Sequence, residues 1–309
     1  MATYFLIVLG FVLLIAGGNL LVDGSVAVAR KLNVSPLLIG LVLVGFGTST
    51  PELLTSLVAA YRGVPGIAVG NVIGSNIANI LLVLGVAAFL RPVAVQKKSF
   101  ARDGLFLILS TGVLVMALLW GVIGALSGMI MCATLVFYVV FSYRTEKKNR
   151  VKACDKNIKT SKSLLLSFAK AVIGILLTLY GARLLVENAS LLAKAWGVSE
   201  KIIGLTVVAV GTSLPELVTS VVASLKNQSA LAFGNVVGSN IYNALFILGV
   251  TALFLPVFVP PNVLVDILVM ALATGLMLVF GRSGCLSRKV GTLFLALYVA
   301  YIFYLAQGI

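Results

Sequence analysis

Two stretches of this chain are nearly the same text, and they lie in register. Residues 45–79 contain GFGTSTPELLTS (Gly45 to Ser56) and GNVIGSNIAN (Gly70 to Asn79). Residues 209–243 contain AVGTSLPELVTS (Ala209 to Ser220) and GNVVGSNIYN (Gly234 to Asn243). Glu52 maps onto Glu216, Ser75 onto Ser239 and Asn79 onto Asn243, 164 residues on in each case, with no insertion between them. The match also covers the segment before, where NLLVDGSVAVARKLNVS from Asn19 parallels RLLVENASLLAKAWGVS from Arg183. An internal duplication constrains the fold before any single residue does. Each copy also sets one glutamate inside a long apolar run. A carboxylate is costly there and marks a functional site.

The surroundings of those glutamates fix the class. Hydrophobic residues make up 61% of the 309 and charged residues 10%, with a mean hydropathy of +1.15. A water-soluble domain cannot hide that much apolar surface, so the chain reads as polytopic in a membrane. Ten apolar segments can be marked: 3–28, 35–60, 66–90, 102–120, 123–142, 164–190, 200–224, 230–255, 262–281 and 289–306. Runs this long and continuous argue for helices rather than barrel strands. The first is too long for a signal peptide and lacks a basic leader, so it is expected to be retained. The expected fold is all-α, with ten transmembrane helices in two five-helix repeats, 1–142 and 164–309. A basic linker, 143–163, joins them. Five is odd, so duplicated halves joined this way cross the membrane in opposite senses, the inverted-topology arrangement that forms a site at the midplane.

Lys and Arg orient the chain. With the N-terminus outside, only Arg62, Arg183, Lys194 and Lys201 fall on the outer side, and the remaining 19 of 23 fall inside. That asymmetry puts both termini outside and the linker in the cytoplasm. The net charge of +14 therefore speaks for topology and not for nucleic acid, because the basic residues lie between apolar segments. The linker, RTEKKNRVKACDKNIKTSK, reads as solvated; its sharper reading is a dock for anionic lipid headgroups or a regulatory partner. Nothing points to an obligatory protein partner. Cys132, Cys154 and Cys285 are far apart without metal-ligand spacing and read as free thiols. There is no histidine, the commonest transition-metal ligand and proton shuttle.

The motifs carry the chemistry. Pro51 and Pro215 have no N–H and clash with the carbonyl four residues back, and Gly45, Gly47 and Gly211 weaken the same turns. The second span of each half should break near its middle and free backbone carbonyls, which is tolerable only beside a cavity or a cation. Thr48, Ser49, Thr212 and Ser213 add hydroxyls there. Glu52 and Glu216 follow the threonines by four residues, so helical spacing puts each on its threonine's face. Ser75 with Asn79, and Ser239 with Asn243, add neutral oxygens at the same spacing. Gly70 and Gly74, like Gly234 and Gly238, offer a small face for close packing. Alone, a proline is a kink and a GxxxG is packing; both together, repeated in register, are not. Every donor is oxygen, which suits hard cations such as Ca2+. Two buried glutamates repel unless a cation bridges them or one is protonated. One Ca2+ or two Na+ would neutralise the pair, three Na+ would leave one positive charge, and protons could serve instead. The other seven acids (Asp23, Asp103, Glu146, Asp155, Glu187, Glu200 and Asp266) read as interfacial or solvated.

At GTSTPELLTS, GTSLPELVTS, GNVIGSNIAN and GNVVGSNIYN the chain resembles the cation/Ca2+ exchanger superfamily, and within it the prokaryotic sodium/calcium exchangers. The resemblance implies a ten-helix fold in which the repeats pack into a four-helix core, while the first span of each half slides against that core. It implies Glu52 and Glu216 as shared central carboxylates, Thr48, Ser49, Thr212 and Ser213 as hydroxyl ligands, and Ser75, Asn79, Ser239 and Asn243 as ligands from the third and eighth spans. Gly45 and Ala209 match positions that offer backbone carbonyls. Potassium-dependent members typically have Asp where this chain has Asn243, so asparagine there resembles the potassium-independent type. Thr50 departs from the leucine common at that place and found at Leu214. The implied function is a cell-membrane antiporter exchanging Na+ for Ca2+ without a bound cofactor, three for one and hence electrogenic. The runner-up is H+/Ca2+ exchange on the same fold. A passive channel would show flux without counter-ion, and a hydrolase lacks a base–orienter arrangement.

Overall fold

The computed structural model describes residues 2–150, 163–197 and 209–307. Helix α1 runs Ala2–Lys31, α2 Pro36–Thr48, α3 Thr50–Tyr61, α4 Pro65–Leu90, α5 Lys97–Leu119 and α6 Ala125–Arg150. The second half repeats the order, with α7 Leu164–Ala195, a short α8 Ala209–Thr212, α9 Leu214–Leu225, α10 Ser229–Phe254, α11 Leu264–Gly281 and α12 Arg288–Gln307. Among the described residues eight helices are long and apolar enough to cross a membrane, and the bent pair α2–α3 makes a ninth span. Segment seven, expected over 200–224, is described only from Ala209 on. Helix α6 runs through 143–150, which the sequence reading gave to the linker.

The two most buried spans are α4 and α10. Inside the molecule lie 78% and 83% of their apolar windows, against 17–39% for the other long helices. They therefore form the core, and the rest turn large apolar side chains outward: Phe5, Phe11 and Ile15 on α1 are more than half exposed. That is the pattern of a bundle solvated by lipid.

Short strands stitch the halves together. Strand β1 (Val93–Ala94) pairs antiparallel with β4 (Cys285–Leu286), and β2 (Val122–Ile123) with β3 (Val257–Phe258). Val93 faces Leu286 in one pair, and its repeat mate Val257 faces Ile123 in the other. The two ladders are copies of one contact, as an inverted repeat requires. Helices α1 and α7 obey the same symmetry. A methyl group at Gly10 would sit 2.9 Å from the Gly181 carbonyl oxygen, and one at Gly17 2.9 Å from that of Gly174. Only glycine allows that approach, and it makes α1 and α7 one antiparallel unit.

Two of the acids read as solvated are buried. Asp103 is fully enclosed, and Glu146 is 7% exposed and lies in α6, not in a loop. Each has partners that replace water. Arg102 grips Asp103 through Nε at 2.6 Å and Nη2 at 2.9 Å, and its Nη2 reaches Glu146 at 3.4 Å. Ser35 donates to Glu146 from its backbone N–H at 2.9 Å and its hydroxyl at 2.6 Å. Ser35 caps α2, accepting from the Leu38 N–H at 3.1 Å. This cluster pins the start of the motif-bearing α2 to α5 and α6. Asp23 and Glu187 have largely exposed side chains, Asp266 is half-buried, and Asp155 and Glu200 lie outside the described residues.

Candidate ion-binding site

The break in each half falls at one residue. Ser49 has φ −84°, ψ 7° and Ser213 has φ −88°, ψ 4°, the same local conformation in both copies. Pro51 and Pro215 occupy the second position of the helices that follow, so Gly47 and Gly211 find no N–H four residues on. The α2–α3 span bends by 41° here. The break lies between threonine and glutamate, although the Ser49 N–H still donates to the Gly45 carbonyl at 3.1 Å and the Leu53 N–H to the Ser49 carbonyl at 3.3 Å. Glu52 and Glu216 each lie in the first turn of the new helix. The positive end of the helix dipole there favours a carboxylate, which offsets part of the cost of burial.

Inverted halves aim these two helix starts at one another. Ser49 Oγ of the first half donates to Glu216 Oε1 of the second at 3.3 Å. Thr48 Oγ1 donates to the Val44 carbonyl at 3.0 Å and reaches Asn235 Oδ1 at 3.4 Å. Ser239 Oγ donates to the Gly45 carbonyl at 3.5 Å. The Glu52 and Glu216 carboxylates lie within each other's electrostatic reach. Thr48, Ser49, Glu52, Ser75, Asn79, Ser213, Glu216, Ser239 and Asn243 are all buried. Several of their oxygens meet no protein donor: Glu52 Oε2, Glu216 Oε2, Asn79 Oδ1, Asn243 Oδ1 and Ser213 Oγ. Thr212 is half-buried, and Ala209 begins the described part of its span. Among the described residues no third carboxylate, histidine or cysteine joins the two glutamates.

Sequence reasoning passed over two residues that hold this geometry. Asn71 Nδ2 donates to the Glu52 backbone carbonyl and to Ser56 Oγ, both at 3.0 Å. Its repeat mate Asn235 donates to the Glu216 carbonyl at 3.3 Å and to Ser220 Oγ at 2.9 Å. Each asparagine ties its half's glutamate turn to the neighbouring core helix. The signal was present, since both stand second in the repeated GNV. Asn79 and Asn243 show a further unforeseen feature. Each opens a π-helical turn, Asn79–Leu84 and Asn243–Ile247, and a third such turn, Gly40–Val44, precedes Gly45. Such turns widen the helix and concentrate at functional sites.

Small residues close one side of the site. A methyl at Gly45 would lie 2.9 Å from the Ser239 N–H nitrogen, and one at Gly238 2.7 Å from Leu41 Cα. The expected close packing therefore holds for Gly234 and Gly238. Gly70 and Gly74 line a cavity of about 510 Å3 with Asn71, Ser75, Thr212 and Tyr301. Lys201 and Leu205, the mates of Leu37 and Leu41, lie outside the described residues.

The halves differ in how the site is reached. Between α3 and α7 a cavity of about 450 Å3, lined by Thr50, Pro51, Leu54, Tyr180, Ala182 and Thr212, leads to the break. The repeat-related place is filled: Gly18 of α1 packs on α9, where a methyl would lie 3.0 Å from Val218 Cγ1. Ala182 is the mate of Gly18 and Leu54 the mate of Val218, so one contact is made and its copy is open.

Comparison with known proteins matches this architecture. The family described as sodium/calcium exchanger protein matches residues 2–144 and 166–307, once per half. An uncharacterized membrane protein of Methanocaldococcus jannaschii, MJ0091, is 37% identical over 308 residues, covering 99% of this chain and 98% of its own length. The sodium/calcium exchanger MaX1 of Methanosarcina acetivorans is 32% identical, with 97% of each chain covered. A structure of the sodium-calcium exchanger NCX_Mj soaked with Na+ and Ca2+ superposes with TM-score 0.86 at 34% identity, covering 98% of both chains.

Proposed function

The chain belongs to the sodium/calcium exchanger family, and from that premise we propose that it expels Ca2+ in exchange for Na+ across the cell membrane, three Na+ for one Ca2+, without K+. One observation carries the reading. The first half's Ser49 hydroxyl meets the second half's Glu216 carboxylate at 3.3 Å, inside a bundle that buries both glutamates. Neither half is a site alone; the cation ligands belong to both.

Glu52 and Glu216 serve as the shared charges. The hydroxyls of Thr48, Ser49, Thr212, Ser213, Ser75 and Ser239, the amide oxygens of Asn79 and Asn243, and the carbonyls of Gly45 and Ala209 complete an all-oxygen set suited to Ca2+ and Na+. Both ion sets need the same carboxylates, so they compete. The empty site leaves two uncompensated charges and resists closure, whereas a filled one permits it. The open cavity beside α3 and the filled place beside α9 support alternating access, with α1 and α7 moving as a unit against the core. By the positive-inside arrangement the open side is extracellular, both termini are outside and the basic linker is cytoplasmic. Asn243 favours the potassium-independent type. H+/Ca2+ exchange would use the same glutamates with protons in place of Na+.

The test of the site is Glu52→Gln and Glu216→Gln, each of which removes one of two charges and keeps the shape. Calcium exchange in proteoliposomes should fall at least about a hundredfold in each, beyond the 10–100-fold that loss of an outer-shell partner costs. Wild-type rates in either variant contradict the assignment.

A further inference from the structure

The repeat that builds the site also places charges at the two ends of the bundle. Asp23 on α1 corresponds to Glu187 on α7, and Arg62 after α3 corresponds to Lys226 after α9. Acid stands for acid and base for base. Only one of the two pairs is joined. Lys226 Nζ donates to Asp23 Oδ1 at 2.8 Å, bridging α1 to the end of α9. Glu187 accepts instead from Arg183 Nε at 2.7 Å, one turn back on its own helix. Arg62 is exposed and has no carboxylate partner among the described residues.

The joined pair lies where α1 packs on α9 through Gly18 and Val218, the closed side. The parted pair belongs to the helices that bound the open cavity: Glu187 follows the lining residues Arg183 and Val186 on α7, and Arg62 ends α3, whose Thr50, Pro51 and Leu54 line it. We propose that Asp23–Lys226 and Glu187–Arg62 are alternating latches, one made as the other breaks when the α1–α7 unit shifts against the core. This rests on the alternating-access reading above and adds the charges that set its balance. A simpler account is that Arg62 and Lys226 only cap helix C-termini, where cations are favoured. Their backbones agree, at φ −80°, ψ 5° and φ −81°, ψ 13°. That account explains the bases, but not the repeat-related acids opposite them, nor why the joined pair is at the closed side.

Arg183 makes the device unequal. Its mate is Asn19, whose amide donates to the Ile15 carbonyl and offers Asp23 no cation. Glu187 therefore has a resting partner while its latch is open, and Asp23 has none. Arg183 competes with Arg62 and biases the molecule toward the state seen here. The Asp23 and Lys226 side chains are 61% and 33% exposed, so each latch shifts the balance modestly.

Thiol labelling of the purified full-length protein, with its three native cysteines replaced, tests this without assuming which side is extracellular. Leu54→Cys reports the open side and Val218→Cys the closed one. Lys226→Gln should slow labelling at position 54 and speed it at 218, each by about two- to fivefold, the range an exposed ion pair supports. Adding Arg62→Gln should return both rates toward the starting values, and Arg183→Asn alone should act like Lys226→Gln. Unchanged rates in Lys226→Gln, or no return on adding Arg62→Gln, overturn the latch. Radiocalcium exchange in the cysteine-free parent is measured alongside. Its absence would overturn the proposed function and leave the labelling rates to judge the latch alone.

Discussion

Asn235 does three things at once. It donates to the Glu216 carbonyl and to Ser220, and its side-chain oxygen lies within reach of Thr48 from the other half. Asn71 makes the first two contacts at Glu52 and Ser56. Alanine at either position leaves a buried carbonyl and hydroxyl without their donor, a loss of about 1–3 kcal/mol. Asn235 also supports Glu216 from the outer shell, so Asn235→Ala should raise the half-saturating Ca2+ concentration by about 10–100-fold. Asn71→Ala should act in the same direction through Glu52 and Ser56. Initial-rate measurements at varied Ca2+ test both, and an unchanged half-saturating concentration in either would show that clamp to be dispensable. The glutamates, hydroxyls and prolines were legible because each is costly or unusual in an apolar run. The asparagine clamps are legible only by their repetition as the second residue of GNV, since a neutral amide is a weaker signal than a charge.

At the scale of elements, the spans other than the seventh, the breaks and the duplication are legible in the sequence, because these rest on local chemistry. Pro51 and Pro215 break their helices at Ser49 and Ser213 whatever surrounds them. What it could not announce depends on distant partners. Glu146 is buried because Ser35, 111 residues away, donates two hydrogen bonds to it. The π-helical turns at Asn79 and Asn243 likewise have no residue signature. Glu146→Ala leaves Arg102 underpaired and the α2 cap unheld, and should destabilise the protein by about 3 kcal/mol. Thermal unfolding in detergent reads this out, and an unchanged midpoint would show the cluster to be dispensable. The α1–α7 seam offers a second test. Gly17→Val drives a side chain into the Gly174 carbonyl and should cost about 1–3 kcal/mol or part the helices. Loss of a monodisperse elution peak, or a lower unfolding midpoint, would follow.

At the scale of the molecule, the inverted repeat explains why this protein can work from two sides. Copies of one unit meet head to head, their broken helices face one another across the site, and of the two repeat-related contacts of α1 and α7 one is made and the other is open. Coupling is then competition for shared charges, and it has a quantitative signature. Exchange of three Na+ for one Ca2+ moves one net charge, so 100 mV, worth about 2.3 kcal/mol per charge, changes the equilibrium Ca2+ gradient about fiftyfold. The most direct test is radiocalcium uptake into proteoliposomes loaded with Na+, with membrane voltage clamped, against vesicles holding only a pH gradient. Uptake should require internal Na+, be indifferent to K+ and shift with voltage by that factor. Uptake driven by the pH gradient without Na+ would contradict sodium/calcium exchange and make the glutamates proton carriers.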